Sequence, residues 1–185
     1  MQSDAKILII ATDGFEQSEL EVPRDGLRAA GAEVAVASLD GKPIRGWKDK
    51  DWGSQVTADL AIGEASESDY DALVIPGGQI NPDLLRVDAR TMALVRKFLA
   101  SGKVVAAICH GPWLLVEADA LQGRRATSYK SIRKDLENAG ARWQDQAVVT
   151  DRGLITSRSP ADLEPFVAKI LEELAEGKHA RRSAA

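Results

Sequence analysis

Short runs of aliphatic residues, each about a strand long and closed by a turn signal, alternate along this chain with segments whose apolar positions recur at helical spacing. Lys6 to Ala11 is a continuous apolar run ending in Thr12-Asp13-Gly14, which reads as a buried parallel strand feeding a loop. A helix is expected from about Ser18 to Ala30 on Leu20, Val22, Leu27 and Ala30, with Gly31 placed to end it. Glu33 to Ser38 is a second strand. Gly41 to Leu60, with its glycines, Trp47 and Trp52 and the alternation around Gln55 to Ala58, reads as a hairpin or extended arm. Asp71 to Ile75 is a buried strand stopped by Pro76-Gly77-Gly78, and Ala89 to Ala100 is an amphipathic helix ended by Gly102. Lys103 to Ile108 then runs straight into Cys109-His110-Gly111, with Pro112 suited to the first turn of a helix. A short strand near Arg125 to Thr127, a helix over about Ser131 to Ala139, strands near Ala147 to Thr150 and Leu154 to Ser157, and a last helix over Ala161 to Ala175 complete the series. Such alternation predicts an α/β protein with a doubly wound, mostly parallel sheet between two layers of helices.

The 185 residues suit one domain, expected over 1–176, with a frayed basic tail at 177–185. A composition of 44% hydrophobic and 28% charged residues is that of a globular chain that folds on its own core. A net charge of -4 gives no reason to expect a nucleic-acid partner, since such binding rests on a concentrated positive face. The polar start lacks the layout of a signal peptide and no apolar run approaches the roughly 18 residues of a membrane span, so the expected location is cytoplasmic, with no membrane partner. One cysteine and two histidines exclude an internal disulfide and make a metal site improbable. No phosphate loop or dinucleotide fingerprint is present, and no cofactor is expected.

In an open parallel sheet the ligand crevice lies at the carboxyl ends of the strands. Three such ends carry chemistry here: Asp13 to Glu16, Pro76 to Gly78, and Cys109 to Gly111. Cys109 is either a small buried hydrophobe or a reactive thiol. Its place between a strand and a helix, with small neighbours, resembles a nucleophile elbow and favours the thiol, and a helix amino end would lower its pKa. His110 is the natural base beside it, unless it only hydrogen-bonds to backbone at the turn. Glu16 either caps a solvated helix start or reaches the thiol, in which case the two groups share a proton and titrate together. Gly77 and Gly78 form either a simple tight turn or, with the amide of His110, donors for a developing oxyanion.

Gly14-Phe15-Glu16 with Glu19-Leu20, Ala72 to Gly78, Ala107-Ile108-Cys109-His110-Gly111-Pro112, Thr127-Ser128-Tyr129 and Thr156 to Leu163 together resemble the PfpI intracellular protease family of the ThiJ/PfpI superfamily. The resemblance spans about Lys6 to Leu174 and implies a flavodoxin-like sandwich that forms homodimers or hexamers built of dimers. It implies Cys109 as nucleophile, His110 as its partner and Glu16 as the carboxylate at the sulfur. An acidic group from a neighbouring subunit meets the histidine in protease-like members, and the matching position here is Asp83. The segment Gln79 to Asp83 is one residue longer than the family's usual one and carries Asp where Glu is common.

The expected function is a cysteine-dependent stress-response hydrolase. Its substrate would be a small dicarbonyl or a glycated protein or peptide, in deglycase or glyoxalase-like chemistry, or a peptide bond in intracellular proteolysis. The alternative from a different class is a non-enzymatic oxidative-stress sensor or chaperone working through oxidation of Cys109. A glutaminase-type amidotransferase would need a late His-x-Glu pair, and Ser157-Arg158-Ser159-Pro160 stands there instead.

Overall fold

A computed structural model describes residues 4–177. The elements run β1 (Lys6–Ile10), β2 (Phe15–Glu16), α1 (Gln17–Ala29), β3 (Glu33–Ser38), β4 (Ile44–Lys48), β5 (Asp51–Val56), β6 (Leu60–Ala61), β7 (Ala72–Ile75), α2 (Ile80–Arg86), α3 (Ala89–Ser101), β8 (Val104–Ile108) and α4 (Trp113–Glu117). The remainder is β9 (Arg125–Ala126), α5 (Arg133–Asn138), β10 (Arg142–Trp143), β11 (Val148–Asp151), β12 (Leu154–Ser157) and α6 (Leu163–Glu176). The main sheet is ordered β11-β12-β8-β7-β1-β3-β6. All of its pairs are parallel except β11 with β12. Counting only β1, β3, β7, β8 and β12, this is the 2-1-3-4-5 order of flavodoxin-like sheets.

The continuous apolar strands are explained by a sheet covered on both faces, because successive residues point to opposite sides. Ile7 and Ile9 of β1, Val74 of β7, and Ala106 and Ile108 of β8 join Leu20, Leu27, Phe166 and Ile170 of α1 and α6 in one core. Leu8, Ile10, Leu73, Ile75, Val105 and Ala107 enter the other core with Leu85, Phe98, Leu115 and Leu136 from α2 to α5.

Three details differ from the sequence reading. The arm is a hairpin, β4 with β5, but β2 separates β1 from α1 and pairs with β4, so the arm is fastened at the carboxyl end of β1. Arg45 N–H donates to Asp13 Oδ1 at 2.7 Å and Ser54 N–H to Gln17 Oε1 at 2.8 Å, which reinforces that joint. Leu60–Ala61 leaves the arm to become an edge strand of the main sheet. Helix α2 was not among the expected elements, and its Pro82 falls in the first turn, where no intrahelical N–H partner is needed. The expected tail from 178 onward lies outside the described residues. No helix among the described residues is long and apolar enough to cross a membrane.

Candidate active site

The carboxyl ends of β1, β7 and β8 are neighbours in the sheet, and the β1/β7 junction is the point where the strand order reverses. Cys109 follows β8 with φ 62°, a left-handed conformation that costs a residue with a side chain about 1–2 kcal/mol. Its backbone is fixed on both sides. Cys109 N–H donates to Ser157 O at 3.0 Å, Tyr129 N–H donates to Cys109 O at 2.8 Å, and Gly111 N–H closes the turn onto Ile108 O at 2.8 Å. The elbow expected from the sequence is present, and it leaves the cysteine only 6% exposed.

His110 Nδ1 lies 3.2 Å from Cys109 Sγ. Its Nε2 is 3.1 Å from the Ser131 hydroxyl oxygen. The ring is held between Tyr129, stacked at 4.9 Å, and Trp113, edge-on at 5.2 Å. Burial lowers the imidazole pKa from its ordinary value, which keeps the ring neutral and able to accept at neutral pH. With Nδ1 accepting from the thiol, Nε2 carries the hydrogen and donates to Ser131.

The carboxylate at the sulfur is Glu19, not Glu16. Glu19 is fully buried on the inner stripe of α1 with Leu20, Pro23 and Leu27, and it hydrogen-bonds to the Cys109 side chain. Glu16 sits half-buried at the amino cap of α1, where its Oε1 accepts from the Ser18 hydroxyl at 3.1 Å. Its negative charge acts on Glu19 rather than on the sulfur. Glu16 faces away because the cap has extended backbone, whereas three residues on the helix has turned inward.

Desolvation, with a smaller contribution from Glu16, pushes the Glu19 carboxyl from 4.5 up to about 8, so it is protonated at neutral pH. Burial, followed by the proximity of Glu19, pushes the Cys109 thiol well above the ordinary range. The expectation of a thiol pKa lowered by a helix amino end is therefore overturned. Helix α4 has only five residues, and burial outweighs what its end can offer. The thiolate is instead favoured locally by two amides, those of Gly78 and His110, which hydrogen-bond to the sulfur.

The two glycines divide the work. Gly77 N–H donates to Glu19 Oε2 at 2.8 Å and is not free for an oxyanion, so the donors at the sulfur are Gly78 and His110. A side chain at position 77 would fall on Glu19 Oε2 and Cys109 Cβ together, and one at position 78, where φ is 80°, on the backbone of Gly14 and Glu16. Asp83 is exposed in the first turn of α2, while the ring of His110 is taken up by Cys109, Ser131 and its two aromatic neighbours. Sequence reasoning missed Glu19, Ser131 and the buried Asn81. The one usable signal for Glu19 was a carboxylate in phase with Leu20, Pro23 and Leu27. Among the described residues no cluster of three His, Cys, Asp or Glu is arranged to hold a metal ion.

Fold and site together define a flavodoxin-like sandwich with a thiol, an imidazole and a protonated carboxyl gathered at the sheet's switch point. The model of the DJ-1/PfpI family matches residues 5–173, and the chain belongs to that family. It is 45% identical over 171 residues to Protein/nucleic acid deglycase 2 of Escherichia coli, covering 91% of this chain and 97% of that one. It is 44% identical over 162 residues to the Putative cysteine protease YraA of Bacillus subtilis, covering 87% and 93%. The crystal structure of Drosophila melanogaster DJ-1beta superposes with a TM-score of 0.85 at 32% identity, over 94% of this chain and 91% of that one.

Proposed function

We propose that the protein is a cysteine-dependent hydrolase acting on small dicarbonyls and their adducts on glycated proteins or peptides, working in the cytoplasm without a cofactor. The observation that carries this reading is a single thiol flanked by a base at 3.2 Å and by a carboxyl that stays protonated at neutral pH. The name of the E. coli relative, a deglycase, points the same way. In the proposed reaction the thiol proton passes to His110 Nδ1 as sulfur bonds to the aldehyde carbon, and the carbonyl electron pair moves onto oxygen. The amides of Gly78 and His110 stabilise that oxygen, and Glu19 donates or accepts the proton that the carbon skeleton must exchange before water releases the hydroxy acid. A cysteine only 6% exposed suits a small carbonyl better than an extended peptide, which ranks proteolysis second within the same machinery.

The test is methylglyoxal consumption, with lactate formation and repair of a glycated peptide followed in parallel, for wild type, Cys109→Ser, His110→Ala and Glu19→Gln. Turnover lost in Cys109→Ser and reduced at least tenfold in the other two supports the reading. Turnover no better than a free thiol overturns it.

A second reading, an oxidative-stress sensor, is favoured by the same donors, because Glu19 and the two amides would also hold the oxygens of an oxidised sulfur. Intact mass after mild peroxide separates them. A sensor gains oxygen on Cys109 at low dose, while an enzyme simply loses turnover.

Assembly through α2 is part of the proposal. Ile80, Leu84 and Val87 are exposed along one side of that helix, next to Asp83, and a homodimer or a hexamer of dimers would cover them and bring Asp83 toward a neighbour's histidine. Light scattering that returned a monomer mass would remove this role for Asp83.

A further inference from the structure

Asn81 is fully buried at the start of α2 and its side-chain amide is completely engaged. Nδ2 donates to Pro76 O at 3.0 Å and to Gly77 O at 3.2 Å, and Oδ1 accepts from Thr12 N–H at 2.7 Å. One side chain thus ties the carboxyl end of β1 to the carboxyl end of β7.

The two carbonyls it holds belong to consecutive peptide groups. In a trans peptide C=O and N–H point in opposite directions, so fixing the carbonyl aims the amide hydrogen the other way. The peptide that carries Pro76 O carries Gly77 N–H, which donates to Glu19 Oε2 at 2.8 Å. The peptide that carries Gly77 O carries Gly78 N–H, which donates to the Cys109 sulfur. Glu16 N–H adds a weaker bond to Gly77 O at 3.3 Å. Glycine at both positions leaves these planes intrinsically free to rotate, and without an external anchor they would be the softest part of the site.

We propose that Asn81 is a positioning residue whose amide aims the two successive N–H groups of the Gly77-Gly78 turn, one at the carboxyl of Glu19 and one at the sulfur of Cys109. Only a carboxamide can fill this place, because it must give two hydrogens to carbonyls and accept one from Thr12. The inference deepens the proposed hydrolase reading, on which its bearing on turnover rests, but its test needs no substrate. The titratable groups facing the pair are Glu16, which acts on Glu19, and His110, which bonds to the sulfur. Neither depends on Nδ2 of Asn81 for its place.

Cys109 is the only cysteine, so alkylation by iodoacetamide reports on it alone. Asn81→Leu and Asn81→Ala each lose all three bonds without adding a charge. In both variants of the full chain, each charged form loses an amide, so the alkylation midpoint moves to higher pH by about one unit and the rate at pH 8 falls about tenfold. Leu136→Ala, a core truncation in α5, controls for loosening of the fold and leaves the midpoint in place. A folded Asn81→Leu protein with an unchanged midpoint overturns the proposal. Should the Asn81 variants fail to fold, the wild-type amide resonances of Gly77 and Gly78 decide it. Both are expected to shift with the ionisation of Cys109 and Glu19, and resonances that stay still across that range overturn the proposal. Failure of the dicarbonyl assay with an intact midpoint shift would sink the hydrolase reading and leave Asn81's role standing.

Discussion

The site has two halves that are built differently. On the β8 side Cys109 is fixed by its own backbone, through Ser157 O, Tyr129 N–H and the closed turn at Gly111. On the β1/β7 side the groups that tune the sulfur are held by buried side chains reaching across elements, Glu19 from α1 and Asn81 from α2. The first half is a local device and the second a tertiary one. A local device leaves a contiguous trace in sequence, whereas a tertiary one is dispersed over residues with no reason to be read together.

Substitutions on the two sides should therefore fail in different ways. The largest effect is expected for Gly77→Ala, whose methyl lands on both Glu19 Oε2 and Cys109 Cβ. Turnover should fall at least a hundredfold, and stability by about 2 kcal/mol, the usual cost of overpacking a filled site. Chemical denaturation with the dicarbonyl assay checks both.

Glu19→Gln should separate tuning from stability. The Glu19 carboxyl titrates at 4.5 when unfolded and near 8 when folded. Between these values the folded chain holds a proton that the unfolded chain has lost, so stability is full below 4.5 and declines as pH rises toward 8. Gln removes that decline while keeping an oxygen for Gly77 N–H. The variant should be more stable than wild type by roughly 3 kcal/mol at pH 7 and indistinguishable from it at pH 4. Parallel melting curves at the two pH values measure it, and equal stability at both would mean that Glu19 folds already ionised.

Ser131→Ala probes the histidine's outer partner. Loss of one part-buried hydrogen bond is worth about 0.5–1.5 kcal/mol, so kcat should fall about threefold to tenfold. Glu16→Gln should be the mildest change, altering Cys109 alkylation less than threefold, since it removes only a like charge near Glu19. A tenfold change in alkylation would return Glu16 to the centre of the site.

The same contrast explains what the sequence disclosed. The strands over Lys6–Ile10, Ala72–Ile75, Val104–Ile108 and Leu154–Ser157 were plain, because a sheet buried on both faces writes itself as unbroken aliphatic runs. Cys109-His110-Gly111 was legible because its constraint lies within three residues. Glu19 was not, because Val22 drew the reading of α1 toward a face that proves 44% exposed and hid the phase shared by Glu19, Leu20, Pro23 and Leu27. Helix α2 and Asn81 were hidden by Pro82, which weakens a helix by local rules but is harmless in a first turn. The arm's attachment through β2 depends on a two-residue pairing with β4 that no periodicity reveals.

Strands in a ladder are spaced about 4.8 Å apart, and β7 lies between β1 and β8. A carboxyl reaching in from α1 and a thiol at the end of β8 meet over the carboxyl end of β7, and an ordinary residue at position 77 would stand between them as a screen. Gly77 is the aperture in that screen. The acid reaches the sulfur only as α1 is seated over the sheet, and one missing side chain gives the two a line of sight.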